Sequence, residues 1–214
     1  MGKGEKTKAP RRTTPAPVRK GRLQRVLILG AESTGKTRLA RDLASHFQTT
    51  WSPEYLREYF DRRKGKLTAR DQLPIVLGHL RREKEKARSA HRVFFIDTDA
   101  LLSSIYFEHY FGQSDPRVRK LADQEQYDLV LLTHPDVPWV ADPQRDLPQG
   151  REGIHRQIET ELRRRGIRWV DVRGDWEKRW ATAVAAVEKL LSTVPSTKKS
   201  SPSRQQSKRS SGRA

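Results

Sequence analysis

The chain has 214 residues, enough for one α/β domain with a full core and some surplus. It carries 44 Lys and Arg against 26 Asp and Glu and no cysteine, which excludes a disulfide framework and a thiolate zinc site. No apolar run approaches the ~20 residues of a membrane span, and the basic N-terminus lacks the apolar stretch of a secretory signal, so a cytoplasmic enzyme with no membrane contact is expected.

The formal charge of +18 is unevenly placed. Residues 1–25 hold nine Lys and Arg against Glu5 alone, and residues 195–214 hold six with no acid, so the segment between them is only mildly basic. Both ends are rich in Lys, Arg, Ser, Thr and Pro and have almost nothing apolar to bury, so disordered basic tails are expected at 1–24 and 194–214 around a folded domain at 25–193. Two roles are open to the tails: solubilising extensions, or non-specific anchors for nucleic acid or another polyanion.

The domain begins with VLILGAESTGKT. Apolar residues of a buried strand, 25–30, run into G-x-x-x-x-G-K-T, filled by Gly30, Gly35, Lys36 and Thr37. This is the phosphate-binding loop, correctly placed between strand and helix. Glycines let the chain curl so that backbone N–H groups surround phosphate. The loop, Gly30, Ala31, Glu32, Ser33, Thr34, Gly35, Lys36, Thr37 and Arg38, is therefore the candidate ATP site. Lys36 reaches the β- and γ-phosphates and Thr37 ligates Mg²⁺. A carboxylate at Glu32 should repel phosphate, so it is expected to point away or to face metal or water.

Helix 36–47 follows, with Leu39, Leu43 and Phe47 on one face. A short strand near 49–53 leads into helix 54–63. Thr68 is positioned to cap a long helix, 68–90, in which Pro74 breaks or resets the start. RVFFID, 92–97, is a fully buried strand, followed by helices at 99–111 and 116–125. YDLVLLT, 127–133, is the next strand. A 17-residue connection, 134–150, has no element of its own and suggests a lid carrying Trp139, Asp142 and Arg145, with Arg151 directly after it. Helix 151–165, strand 167–172 and helix 176–191 complete a chain whose alternation predicts a parallel sheet with helices on both faces.

Ligands in such sheets sit at the carboxyl ends of the strands. Asp97 ends a strand there and fits the Mg²⁺-assisting acid of phosphate-loop enzymes. Asp99 serves either that chemistry or the cap of the next helix. Glu54 either takes the proton of an attacking hydroxyl or is a first-turn helix charge. A mobile lid arginine can neutralise charge that develops between donor and acceptor. Three readings stand: a riboside kinase, another nucleoside or metabolite kinase, and a nucleotide-switched ATPase or GTPase that binds nucleic acid through its tails. The absence of N-K-x-D weakens a GTPase.

GAESTGKT, PEYLREY, LGHLRREKEKARSAHRVFFIDTD and PWVADPQR followed by Arg151 resemble the nicotinamide riboside kinase domain of the NadR family over residues 25–192. The resemblance implies a P-loop NTPase fold like that of nucleoside and nucleotide kinases, with strands in the order 2-3-1-4-5. It implies ATP- and Mg²⁺-dependent phosphorylation of the 5′-hydroxyl of nicotinamide riboside. On it, Lys36 and Thr37 serve phosphates and metal, and Asp97 matches the acid of the third strand. Glu54, Tyr55, Arg57 and Glu58 match the E-Y-x-R-E stretch beside the acceptor, with Asp99 near it, and Tyr55 or Trp139 contributes to the pyridinium pocket. Asp142, Arg145 and Arg151 match the lid. Pro143 replaces the family's usual glycine there and is expected to stiffen it. The adenylyltransferase and DNA-binding segments usual in the family have no counterpart in this sequence, so their activities are not expected of it.

Overall fold

Strand β1, Gln24–Gly30, lies at the centre of a five-stranded parallel sheet. The structure, a computed structural model, describes residues 22–139 and 150–193. The other strands are β2 (Trp51–Ser52), β3 (Val93–Asp97), β4 (Leu129–Thr133) and β5 (Val170–Val172), and the order across the sheet is β2-β3-β1-β4-β5. This is the order that the resemblance implied.

Helices α1 (Lys36–His46), α2 (Tyr55–Arg62), α3 (Gln72–Ala87), α4 (Ala100–Phe111), α5 (Pro116–Gln124), α6 (Arg151–Arg164) and α7 (Trp176–Ser192) connect and cover the strands. Alternate residues of β1 feed two cores. Val26 and Ile28 pack with Leu39 and Leu43 of α1 and with Ala183 and Val187 of α7. Leu27 and Leu29 pack on the other face with Leu102 and Ile105 of α4 and with Ile154 and Ile158 of α6. A strand buried on both sides must be apolar throughout, as VLIL is. Among the described residues no helix is long and apolar enough to cross a membrane.

The expected 68–90 helix divides. A 3₁₀ turn at Ala69–Asp71 comes first, where the Thr68 N–H and hydroxyl each donate to Asp71 Oδ2 at 2.8 Å. Then α3 starts at Gln72, so Pro74 falls in its first turn, where a missing N–H leaves no helical bond unmade. The last strand, expected from 167, pairs only at Val170–Val172. Parallel register sets Ile28 beside Asp97, and Gly30 beside Thr133, so β1, β3 and β4 end along one edge.

Candidate active site

The phosphate loop is held from beneath by side chains. The Thr34 hydroxyl donates to the Ala31 carbonyl at 2.7 Å and lies 2.7 Å from Thr133 Oγ1, which donates to the Leu29 carbonyl at 3.0 Å. A Cβ on Gly30 would come within 2.1 Å of Thr133 Oγ1, so only glycine fits where the loop leaves β1 against β4. Ser33 and Gly35 take positive φ, 55° and 85°, which curls the chain. No acid occupies the first turn of α1, so nothing on the helix competes with an anion at its N-terminus. The Lys36 ammonium donates to the Ala31 carbonyl at 3.0 Å, across the loop.

Asp97 ends β3 with no solvent exposure. Its Oδ2 accepts a 2.6 Å hydrogen bond from the Thr37 hydroxyl, and its Oδ1 has no protein partner. Burial, then the charge of Glu54, pushes its pKa up to about 6, while Lys36 pulls the other way. A buried carboxylate with a spare oxygen, beside a loop hydroxyl, fits Mg²⁺, which takes hard oxygen donors and keeps several waters. Among the described residues no cluster of three or more His, Cys, Asp or Glu stands ready for a metal. The ion would therefore rest on Thr37, Asp97 and phosphate oxygens.

A cleft of about 840 Å³ opens over the loop. It is lined by residues 32–38 and Arg41 of the loop and α1, and by Glu54, Leu56, Arg57, Phe60, Tyr106 and Tyr110 among others. Arg57 Nε lies 3.4 Å from Glu54 Oε2. Tyr106 and Tyr110, one helical turn apart on α4, have ring centroids 6.3 Å apart and planes 17° from parallel. Burial, then the carboxylates of Glu32 and Glu54, pushes the Tyr106 phenol well above its ordinary pKa, so it stays protonated. Glu32 thus faces the tyrosines, and Tyr110 reaches its Oε1 at 3.5 Å.

Other expected site residues lie elsewhere. Tyr55 packs between α2 and α3, where a Cβ on Gly78 would come within 2.1 Å of its ring, and Arg82 lies 4.7 Å from its ring centroid. It is a packing residue outside the cleft. Glu58 is half-exposed and pairs with Arg82 and Arg62. Asp99 caps α4 by accepting from the Leu102 N–H at 3.0 Å; it is buried and does not line the cleft. Arg151 donates to the Val137 carbonyl at 3.0 Å and lies 5.5 Å from the Trp139 ring centroid, so the aromatic face of Trp139 meets an arginine. Asp142, Pro143, Arg145 and residues 1–21 and 194–214 of the tails lie outside the described residues, while Gln24, expected in the N-terminal tail, opens β1.

Several cleft residues escaped the sequence reading, among them Tyr106, Tyr110, Trp176 and Arg179. Tyr106 and Tyr110 sit on a helix apolar nearly all round, a pattern that could have signalled burial on two sides. Trp176, at the start of α7, stacks under Arg38, whose guanidinium is 3.8 Å from the ring centroid. Arg179 left no local signal.

A strand, a phosphate loop and a helix at the centre of a 2-3-1-4-5 parallel sheet, with a strand-end acid bonded to the loop threonine, define a P-loop nucleotide-binding domain with the nucleotide-kinase fold. The chain belongs to the AAA domain family, which it matches over residues 25–179. It is 33% identical over 184 residues to the trifunctional NAD biosynthesis/regulator protein NadR of Salmonella typhimurium, an alignment that covers 83% of this chain and 45% of that protein. The chain thus spans less than half the length of this curated relative. A crystal structure of NadR protein in complex with NR superposes with a TM-score of 0.70 at 26% identity, covering 79% of this chain and 50% of that one. NadR protein in complex with NAD and AMP-PNP gives a TM-score of 0.67 at 25% identity, covering 84% and 52%.

Proposed function

We propose that this domain is an ATP-dependent kinase that phosphorylates the 5′-hydroxyl of nicotinamide riboside, giving nicotinamide mononucleotide for NAD salvage. The observation that carries the reading is the part of the cleft where Glu54 and the loop's own Glu32 meet the stacked rings of Tyr106 and Tyr110, beside the phosphate loop. Carboxylates suit a ribose with free hydroxyls, and an aromatic face beside negative charge suits a pyridinium, where a cation gains ~0.5–2 kcal/mol. The NadR relative and the complexes with NR and AMP-PNP support this choice of acceptor and donor.

In the proposed reaction the loop N–H groups and Lys36 hold the phosphates of ATP. Glu54 orients the 5′-hydroxyl and accepts its proton as the oxygen bonds to the γ-phosphorus and the bond to the ADP oxygen breaks. Mg²⁺ on Thr37 and Asp97 would neutralise charge on the phosphate oxygens. Arg151, at the start of α6, would neutralise charge on the transferring group, and the resemblance gives Arg145 and Asp142 to the same lid. ATP as donor fits work in the cytoplasm. The test is ADP release and product identification with nicotinamide riboside, uridine and adenosine on the whole chain and on Lys36→Ala. Turnover of nicotinamide riboside alone, lost in the variant, is expected. Preference for uridine or adenosine would sink the pyridine assignment and leave a kinase standing, whereas ADP release without any nucleoside would favour an ATPase.

A further inference from the structure

Arg179 is the bulkiest fully buried side chain among the described residues, 2% exposed, and lies in α7 far in sequence from every motif. Burying a guanidinium is unfavourable unless its donors are paired, so what it holds is informative. Nε donates to the Gly174 carbonyl at 2.7 Å, Nη1 to the Thr34 carbonyl at 3.0 Å, and Nη2 to the His134 carbonyl at 2.8 Å and to the Asp136 carboxylate. Asp136 is fixed in turn by the Gly174 N–H, 2.6 Å from its Oδ2. One side chain therefore joins three strand ends: the loop after β1, the exit of β4 and the turn after β5.

The bond to Thr34 bears on the phosphate loop. In a trans peptide the carbonyl and the following N–H share a plane and point in opposite directions. Holding the Thr34 carbonyl against a buried guanidinium therefore turns the Gly35 N–H away from Arg179, and Gly35 itself lines the cleft. That peptide needs an anchor, because Gly35 at φ 85° has no Cβ to restrict rotation about the unit before it. A lysine could not replace the arginine, since a single ammonium lacks the planar fork that reaches carbonyls in three directions.

We propose that Arg179 is a positioning residue of the phosphate loop: it holds the 34–35 peptide with its N–H facing the nucleotide phosphates and ties the loop to His134–Asp136, where the chain leaves β4. The inference rests on the phosphate-loop reading above, and the ligand concerned is a nucleoside triphosphate.

Calorimetric titration of ATP into wild type, Lys36→Ala, Arg179→Ala and Arg179→Lys tests it, with nicotinamide riboside affinity in the absence of nucleotide as the control. Loss of a charged hydrogen-bond network should lower ATP affinity about tenfold or more in both Arg179 variants. Riboside affinity should stay within about threefold of wild type in both. Millimolar guanidinium should restore part of the ATP affinity of Arg179→Ala. If the alanine variant does not fold, Arg179→Lys carries the comparison, and in the wild type the Gly35 amide resonance should shift on ATP addition. Wild-type ATP affinity in a folded Arg179 variant overturns the inference, as does equal loss of ATP and riboside affinity without guanidinium rescue, or a Gly35 amide indifferent to ATP. A wild type that fails to bind ATP sinks the kinase reading itself; a wild type that binds ATP beside indifferent Arg179 variants sinks only the role of Arg179.

Discussion

The Thr37 hydroxyl donates a 2.6 Å hydrogen bond to Asp97 Oδ2, joining the end of the phosphate loop to the end of β3. Both oxygens belong where a Mg²⁺–nucleotide would sit, and the Asp97 side chain keeps a second oxygen unpartnered. Asp97→Asn keeps the size and an acceptor but removes the charge. It should cut Mg²⁺-dependent turnover by about 10²–10³ while ATP binding without metal changes little. Turnover measured across Mg²⁺ concentrations checks this, and near-normal rates at limiting Mg²⁺ would remove Asp97 from the metal site.

The packing of Tyr55 against Gly78 gives a second expectation. Gly78→Ala places a methyl where the ring already lies, so it should lower stability by about 1–3 kcal/mol, and a second change, Tyr55→Leu, should restore part of it. Tyr55→Leu alone should leave the KM for the riboside unchanged. A raised KM in that variant would return Tyr55 to the acceptor pocket.

Helical phase explains why Tyr55 was misplaced on sequence alone. Glu54 and Arg57, three residues apart, share the face that lines the cleft. Tyr55 and Glu58 share the next face and turn to Gly78 and Arg82 of α3. The E-Y-x-R-E stretch marks the right helix, but adjacent residues of a helix point about 100° apart. The phosphate loop and Asp97 were legible because each follows a continuous apolar strand whose end fixes its place. Arg179 was not: within WEKRWATAV it resembles any residue of a polar helix face, and only the convergence of three strand ends buries it. The aromatic end of the cleft was missed for a related reason, since ALLSSIYFEHYF has no polar stripe to show which side meets the sheet.

A buried histidine sets a pH dependence. His79 of α3 is buried, and its Nε2 has no hydrogen-bond partner among the described residues. Burial pushes the His79 pKa down to about 4. Between that value and its ordinary 6.5 the unfolded chain binds a proton that the folded one refuses, so stability is full above pH 6.5 and is lost as pH falls toward 4. The loss is on the order of 3 kcal/mol. Urea unfolding of wild type and His79→Gln at several pH values should show a shallower acid slope in the variant. Equal slopes would mean that His79 is not the group responsible.

The charge of the ends predicts a salt-dependent contact. Deleting residues 1–22 and 196–214 should leave kinase activity nearly unchanged, because the cleft residues lie between them. Retention on heparin or RNA should weaken in the trimmed chain, and that of the whole chain should fall steeply with salt. Equal retention of both proteins would move the basic surface onto the folded domain.

The acceptor end of the cleft separates chemistry from recognition. Glu54 lines the cleft, with Arg57 3.4 Å away to orient it, while Asp97 is engaged with Thr37. Of the two carboxylates, Asp97 is fully buried against the loop, so Glu54 is the one proposed to meet a substrate hydroxyl. Glu54→Gln keeps the shape and loses the base, so it should lower kcat by about 10²–10⁴ with a small change in KM. On the proposed reading Tyr106 serves recognition instead, since its phenol stays protonated beside Glu32 and Glu54 and its ring stacks with Tyr110. Tyr106→Leu removes the aromatic face and should mainly raise the KM for a cationic riboside, by about two- to thirtyfold, while Tyr106→Phe keeps the face and should cost less. Steady-state kinetics with nicotinamide riboside and a neutral nucleoside distinguishes these roles. An equal rise in KM for both acceptors in Tyr106→Leu would make the tyrosine a packing residue, and an unchanged kcat in Glu54→Gln would pass the base to another group.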